Sequence, residues 1–397
     1  MLSIARTPIF IERGEGAYIW DVDGNRYVDW VSSWGPLILG HAEPLVVEAI
    51  RAAAGRGTSY GAPTEGEVEL ATEVAGRFRS VEMIRMTSSG TEATMSALRL
   101  ARAATGRTTV MKFAGAYHGH VDGLLAEGGS GLATAGVPAS PGVTEAQASD
   151  TVIVPWNDEE AVAEAISRGR PAAVIAEPIP ANMGVVPPDP GFLEMLRDST
   201  AEVGALLILD EVISGFRVAR GGAQELLGVE ADLTVMGKVL GGGLPAAAYG
   251  GSRELMREIA PAGAVYQAGT LSGNPLAVAA GLVTLRKLDG PAYVGIESAT
   301  TRLATGLRRA AGDRPVQVSS VPGLLTVFFS AEPVRDFAGA RACDAAAYGR
   351  FCRALLDRGV YPPASQFEAW FPSLAHDEES IDLTIEAAAE AFDHAIA

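Results

Sequence analysis

The chain has 397 residues, of which 48% are hydrophobic and 20% charged, a composition typical of a well-packed globular protein of about two domains. Its formal net charge of −17 argues against nucleic acid and against an anionic membrane surface as partners, because both reward basic proteins. The two cysteines, Cys343 and Cys352, favour neither a disulfide framework nor a metal site.

The printed start, MLSIARTPIF, lacks the apolar run and the basic flank of a signal peptide, and no apolar stretch reaches membrane-spanning length. We therefore expect a cytoplasmic protein. Residues 1–63 are predicted to form an N-terminal segment with a small hairpin sheet. Within it, GAYIWDVDGNRYVDWVSS alternates apolar and polar residues around an Asp-Gly turn signal.

Residues 64–290 alternate short apolar runs with amphipathic segments, which predicts a large α/β domain. The runs that we interpret as strands are TTVMKF, TVIVPW, AAVIAEPI, ALLILDEV, DLTVMG and AAAYGG. Helix-like stretches such as EATMSALRLARAATG and DEEAVAEAISRG lie between several of them. Continuous apolar strands separated by helices indicate a mostly parallel sheet covered on both faces, which binds ligands beyond the carboxyl ends of its strands.

Residues 291–397 contain the strand-like run LLTVFFS between helix-like segments, and they predict a small C-terminal α+β domain. We expect the two chain ends to combine into a smaller α+β portion packed on the large domain.

Lys238 lies in an apolar, glycine-rich run, LTVMGKVLGGGLPAAAYGG, of a chain whose other lysines are Lys112 and Lys287. A lysine in an apolar site loses its proton readily, and only the neutral amine can attack a carbonyl to form an imine. The alternatives for Lys238 are a side chain that extends its charge to solvent and a point charge that binds phosphate.

Three further segments follow strands of the predicted sheet. Asp210 comes directly after the apolar run ALLIL, where a carboxylate is costly unless a cation meets it, and the alternatives are a buried salt bridge or a helix cap. Ser89, Gly90 and Thr91 begin a helix, a position that suits phosphate but is also compatible with an ordinary capping box. Tyr117 and His118 lie on a glycine-rich loop, where an aromatic ring either stacks on a planar ligand or faces solvent.

Thr270 precedes another helix start with small residues. An imine-forming lysine, an acid for a pyridinium nitrogen, a stacking aromatic ring and a phosphate cradle together describe pyridoxal 5′-phosphate (PLP) as the cofactor.

The segments SSGTEATM, YHGH, DEVISGFR, GKVLGGGLPAAAYGG and YQAGTLSGNPLA resemble the class III (subgroup II) pyridoxal-phosphate aminotransferases. Within that class WDVDGNRYVDWVSSWGP, GTSYGAPT, GGSGLATAGVPASPGV and SQFEAWFPSLAH resemble the glutamate-1-semialdehyde 2,1-aminomutases, so the similarity covers nearly the whole chain. The resemblance implies an α/β fold of the fold-type I PLP-dependent transferases, with a mostly parallel central sheet in the large domain.

The resemblance also implies roles for individual residues at the cofactor. Lys238 would bind PLP as an imine and carry protons, and Asp210 would keep the ring nitrogen protonated. Tyr117 would stack on the ring with His118 beside it, and Asn182 would lie near the phenolic side of the ring. Pyridoxamine 5′-phosphate (PMP) would be the alternate form of the cofactor.

The implied phosphate ligands are Ser89, Gly90 and Thr91, together with Thr270 of the partner subunit in a homodimer whose active sites are shared. Trp34, Ser130 and Glu368 would line the pocket for a small amino or keto substrate. Residues 129–143 would form a mobile flap.

The chain departs from the aminomutases in two places. They carry a segment like PGGVNSPVRAF, whose arginine is thought to hold the substrate carboxylate, and the printed chain begins after it. Arg6 would align downstream of that arginine, so the role is not transferred to it. Glu368 would then be free to meet an amino group. Trp370 is bulky where the family usually has a small residue, which predicts an altered pocket.

Three functions fit the sequence. The first is an aminomutase that starts from the PMP form and converts glutamate 1-semialdehyde, or a related substrate, to 5-aminolevulinate or its counterpart. The second is a transaminase for another amino acid, keto acid or amine, and the third is a cofactor-binding protein without turnover. The flap favours the mutase because a lid retains the intermediate, and the absent N-terminal segment favours a changed substrate. Intact Lys238, Asp210 and Tyr117 argue against the third.

Overall fold

A computed structural model of the protein describes residues 8–127, 134–135 and 137–396. The strands are β1 (Ile11–Glu15), β2 (Tyr18–Asp21), β3 (Arg26–Asp29), β4 (Met83–Thr87), β5 (Val110–Phe113), β6 (Ala126–Glu127), β7 (Thr134–Ala135), β8 (Val137–Pro138), β9 (Thr151–Val154), β10 (Ala173–Ala176), β11 (Leu206–Glu211), β12 (Leu233–Met236), β13 (Ala247–Gly251), β14 (Gln317–Val321), β15 (Leu324–Phe328) and β16 (Val360–Tyr361).

The α-helices are α1 (Pro44–Ala54), α2 (Glu65–Ala75), α3 (Gly90–Thr105), α4 (Glu145–Ala148), α5 (Glu159–Gly169), α6 (Phe192–Val203), α7 (Gly222–Leu227), α8 (Arg253–Met256), α9 (Pro275–Lys287), α10 (Gly290–Ala311), α11 (Phe337–Ala342), α12 (Ala345–Leu356) and α13 (Glu378–Ile396). Short 3₁₀ helices cover Ser32–Trp34, Asp122–Leu124 and Lys238–Gly241.

An eight-stranded sheet with the order β4-β13-β12-β11-β10-β5-β9-β7 forms the centre of the molecule. The run from β12 to β9 is parallel, and β13 runs antiparallel to both β12 and β4. Each of the six apolar runs interpreted as strands contains one of these strands. The predicted α/β fold with a mostly parallel sheet is confirmed.

Helices cover both faces of this sheet, since successive side chains of a strand point to opposite faces. On β11, Ile208 packs in the cluster that contains the apolar face of α3, whereas Leu207 and Leu209 pack in the cluster that contains α5 and α6. The same alternation sends Asp210 to the α3 face and Glu211 to the opposite face. Both carboxylates come at the carboxyl end of the sheet.

A smaller sheet with the order β1-β2-β3-β16 draws on both ends of the chain. β2 and β3 form the predicted hairpin around Asp23 and Gly24, and β16 pairs parallel to β3. Its core includes Trp30, Phe351 and Trp370, all fully buried. The boundaries proposed at residues 63 and 290 stay predictions.

Within the described ranges, no α-helix is both long enough and apolar enough to cross a bilayer. In the same residues, no three His, Cys, Asp or Glu side chains come together in a group suited to a metal ion.

Candidate active site

A cavity of about 600 Å³ lies beyond the carboxyl ends of β4, β5, β10, β11 and β12. It collects most of the residues predicted from sequence: Trp34, Ser89, Gly90, Thr91, Tyr117, His118, Asn182, Asp210, Lys238 and Glu368. Because parallel strands end at the same edge, segments far apart in the chain meet in this cavity.

Lys238 is the second residue after β12 and begins a short 3₁₀ helix, with a left-handed φ of 46°. Such a backbone conformation is uncommon for a side chain other than glycine and often marks a functional site. Burial lowers the pKa of Lys238 to about 8, although the charges of Glu177 and Glu368 oppose the shift. About a tenth of the amine is then neutral at pH 7, enough to supply a nucleophile.

The other two lysines do not share this position. Burial also lowers the pKa of Lys112 to about 8, but Lys112 lies within β5 and its Nζ donates to the carbonyl oxygen of Leu124 at 3.0 Å. Lys287 pairs with Glu43 at the end of α9. The cavity, rather than the lowered pKa, distinguishes Lys238 as the candidate that can form an imine.

Asp210 and His118 form a buried pair. One carboxylate oxygen of Asp210, Oδ2, lies 2.8 Å from Nδ1 of His118, and the other accepts the backbone N–H of Val212 at 3.1 Å. Since an ionised carboxylate only accepts, His118 donates from Nδ1. This bond orients Asp210 towards the cavity, where an anionic oxygen can meet the protonated nitrogen of a pyridine ring.

The amino end of α3 opens into the same cavity. Ser89 caps the helix by accepting the Glu92 N–H at 3.2 Å, and the Ser88 N–H donates to the Glu92 side chain at 2.7 Å. Capping and anion binding are therefore both compatible with this turn, because the cap leaves other N–H groups at the helix start available. Thr91 Oγ1 also meets Nδ1 of His120 at 3.1 Å, a contact that the sequence did not predict.

Two further residues of the cavity, Tyr117 and Asn182, are placed to surround a pyridine ring. Tyr117 is 50% exposed and lines the cavity on a loop bounded by Gly115 and Gly119, both of which have positive φ. Asn182 lines the cavity from the segment after β10. An acid, an aromatic ring, a lysine and a helix start around one cavity fit the functional groups of PLP, so this structure is compatible with that cofactor.

Two buried residues of the site were missed by the sequence reasoning. Glu177 directly follows β10, lines the cavity and accepts a hydrogen bond from the Asn182 side chain at 2.9 Å. Its signal was available, since Glu177 follows the apolar run AAVIA just as Asp210 follows ALLIL.

The second missed residue, Arg217, is fully buried and donates to the carbonyl oxygens of Gly35, Gly323 and Pro372. Burial lowers the pKa of Arg217 to about 9, and its positive charge in turn lowers the pKa of Lys238. By binding the Gly35 carbonyl, Arg217 anchors the turn that carries Trp34 to the cavity wall.

The structure places only some of the predicted substrate residues at the cavity. Trp34 and Glu368 both line the cavity, and burial raises the pKa of Glu368 while Lys238 opposes that shift. Ser130 lies outside the described residues, as do residues 129–133 and 136 of the predicted flap and Arg6. Trp370 is not among the residues that line the cavity.

Trp370 instead packs against Trp30 and Phe351 in the small-sheet core, with ring centroids 6.1 and 6.5 Å away. The structure therefore corrects the expectation that Trp370 alters the pocket.

Thr270 lies elsewhere on the protomer. It lines a second cavity of about 1050 Å³ together with Ser59, Tyr60 and Asn274, and it does not reach the cavity of Lys238 within one chain. Exposed apolar side chains line this second cavity, including Tyr60 and Val68.

Comparison with known proteins gives a consistent result. The aminotransferase class-III family profile matches residues 3–392. A glutamate-1-semialdehyde 2,1-aminomutase from Desulforudis audaxviator (strain MP104C) is 57% identical over 395 residues, covering 98% of this chain and 91% of the relative. One from Heliobacterium modesticaldum is 55% identical over the same length, with the same two coverages.

Solved structures of related enzymes have the same fold. An omega-transaminase from Sphaerobacter thermophilus superimposes with a TM-score of 0.94 at 33% identity, covering 100% of this chain and 94% of that one. A glutamate-1-semialdehyde aminomutase from Pseudomonas aeruginosa PAO1 in complex with PMP superimposes with a TM-score of 0.89 at 29% identity, covering 98% and 88%.

Proposed function

The chain belongs to the class-III aminotransferase family, and from this premise we propose that it converts glutamate 1-semialdehyde to 5-aminolevulinate as an aminomutase. It is a PLP-dependent enzyme, as members of this family are. The observation that carries the proposal is the position of Lys238, a partly neutral amine in one cavity with Asp210 and the amino end of α3. The choice of substrate is supported by the curated aminomutases, which are 53–57% identical over 97–98% of this chain.

Each residue has a defined task in this proposal. The bound cofactor supplies an electron-withdrawing ring that acidifies the C–H bond next to the transferred nitrogen. Lys238 would attach the cofactor and, when released, would move a proton to and from the substrate carbon. Asp210, held by His118, would keep the ring nitrogen protonated, and Tyr117 would stack on the ring.

Glu368 is proposed to bind the ammonium group of the substrate. Its carboxylate lines the cavity and interacts electrostatically with Lys238, so a substrate ammonium between them would be stabilised by the negative charge. The 129–143 flap is proposed to exclude water while the intermediate is held.

A homodimer with shared active sites completes the proposal. Thr270 lines a different cavity from Lys238, which supports a role for it at the phosphate site of a second subunit. Tyr266 and Leu271, on either side of Thr270, are 71% and 54% exposed, a surface that a partner subunit would cover. Sedimentation of the purified protein as a monomer would contradict this arrangement. A cytoplasmic location is supported by the two buried free thiols, Cys343 and Cys352.

The test of function uses the PMP form of the purified protein, incubated with glutamate 1-semialdehyde without any amino donor or acceptor. A mutase forms 5-aminolevulinate over many turnovers, because each catalytic cycle regenerates the PMP form. A single turnover, with sustained activity only when a donor and an acceptor are both added, would contradict the mutase and identify a transaminase, the activity of the Sphaerobacter structural neighbour.

A further inference from the structure

Glu177 is a buried carboxylate to which the proposed reaction assigns no task. It is only 3% exposed and directly follows β10. The parallel register pairs Ala176 with Leu209, so the next residues along, Glu177 and Asp210, are level on neighbouring strands. Both continue the α3 face of the sheet, which places two carboxylates side by side at the cavity.

The two oxygens of Glu177 receive three hydrogen bonds from two separate segments of the chain. Oε1 accepts the backbone N–H of Tyr117 at 3.0 Å. Oε2 accepts the backbone N–H of Ala181 and the side-chain Nδ2 of Asn182, both at 2.9 Å. All three partners are donors, an arrangement that an ionised carboxylate satisfies and an amide cannot fully satisfy.

These bonds set the geometry of two residues proposed to contact the cofactor. The bond to Nδ2 selects one of the two orientations of the Asn182 amide, and the bond to the Tyr117 N–H fixes the loop that carries the stacking ring. One side chain thereby links the loop after β5 to the segment after β10.

The charge of Glu177 lies among basic side chains from several elements. It interacts electrostatically with Lys112 of β5, with Lys238 after β12 and with His118 of the loop after β5. Burial raises the pKa of Glu177, and Asp210 adds to that effect. Glu368 and Asp210, like Glu177, raise the pKa of Lys238, whereas Arg217 lowers it. Two of the three lysines in the chain therefore interact electrostatically with this one carboxylate.

We propose that Glu177 is a positioning residue of the active site: its ionised carboxylate holds the Tyr117 loop and the Asn182 amide in one arrangement and supplies a counter-charge beside Lys238. This inference rests on the proposed cofactor chemistry and is independent of which substrate is used.

The test compares Glu177→Gln with Glu211→Gln. Glu211 is a matched control because it is also buried and also accepts three hydrogen bonds, from Ser214, Ala223 and Gln224, but it points to the opposite face of the sheet and does not line the cavity. Two quantities are measured without any substrate. They are the dissociation constant of PLP and the pKa of Lys238 in the cofactor-free protein, from the pH dependence of its acetylation followed by mass spectrometry.

Glu177→Gln is expected to lower the pKa of Lys238 by about one unit and to weaken PLP binding by about five- to tenfold, because the counter-charge and one hydrogen-bond acceptor are lost. Glu211→Gln is expected to leave both quantities unchanged within error and to lower only the unfolding midpoint. Wild-type values in Glu177→Gln, or equal shifts in the two variants, would overturn the proposal.

Glu177→Asp keeps the charge on a shorter side chain and serves if Glu177→Gln does not fold. In Glu177→Asp the pKa of Lys238 should stay close to its wild-type value, whereas PLP binding should still be weakened. A lowered pKa with unchanged PLP affinity would overturn the proposal. Because no glutamate 1-semialdehyde is used, failure of these measurements is distinguishable from failure of the mutase assignment.

Discussion

Replacing Lys238 by methionine should remove activity and at the same time stabilise the cofactor-free protein. The folded protein lowers the pKa of Lys238 from 10.5 to about 8, which corresponds to at most about 3 kcal/mol of destabilisation by the buried charge. Lys238 is only partly buried and its cavity admits solvent, so we reduce the expected gain to about 1–2 kcal/mol. Methionine has a similar length and no charge to desolvate.

The sign of the pH dependence follows from the same shift. Below about pH 8 Lys238 is charged in both the folded and the unfolded state, so the folded state carries the full cost of desolvation. Between about pH 8 and 10.5 the amine is neutral only in the folded protein, and the stability of the wild type rises. The gain in unfolding free energy from Lys238→Met should therefore shrink by pH 10 to roughly a quarter of its value at pH 7.

Urea unfolding of the cofactor-free proteins at pH 7 and pH 10 measures both effects. Lys287→Met is the matched control, since Lys287 pairs with Glu43 at the surface and its loss should cost less than about 1 kcal/mol. If Lys238→Met is no more stable than the wild type at pH 7, or if its advantage does not decline towards pH 10, the reasoning about a desolvated lysine is refuted.

Three further outcomes are expected. Asp210→Asn should bind PLP but lower kcat at least about 100-fold, because an amide stabilises the protonated ring nitrogen poorly; a loss under tenfold in steady-state assays would contradict this. Tyr117→Ala should weaken PLP binding about two- to tenfold in fluorescence titration, whereas Tyr117→Phe keeps the stacking ring and should bind as the wild type does. Burial lowers the pKa of His376 from 6.5 to about 4, so the wild type should lose stability as the pH falls from 6.5 to 4. His376→Gln, which does not titrate there, should show a flatter dependence in urea unfolding, and identical slopes would exclude His376 as the cause.

The strands and the hairpin could be predicted because their signals are local. Apolar runs such as AAVIA and ALLIL are the length of a buried strand, and the Asp23-Gly24 turn signal lies between β2 and β3. Lys238 and Asp210 were also singled out from local patterns, since Lys238 lies in an apolar, glycine-rich run and Asp210 directly follows the apolar run ALLIL. The order of the strands was not predicted, because it depends on contacts between segments far apart in the chain.

At the site, too, local sequence signals identify residues, whereas contacts between distant segments depend on the fold. Glu177 carries the same local signal as Asp210, but its importance depends on partners from three different segments, which only the fold brings together. Trp370 was expected to alter the pocket because it is bulky where the family usually has a small residue, yet it packs in the core of the small sheet and does not line the cavity. Thr270 has a suitable sequence context, but within one protomer it lines a different cavity from Lys238.

The sequence by itself therefore determined the type of chemistry: a lysine, an acid, an aromatic ring and a helix start, each at the end of an apolar strand, with motifs that resemble one enzyme family. Only the tertiary structure decided which side chains meet. Placing β10 between β5 and β11 sets Glu177 beside Asp210 and within electrostatic reach of Lys112. The physical reason is that the identity of a residue is local, whereas burial, the pKa and hydrogen-bond partners arise from neighbours that the packed sheet assembles.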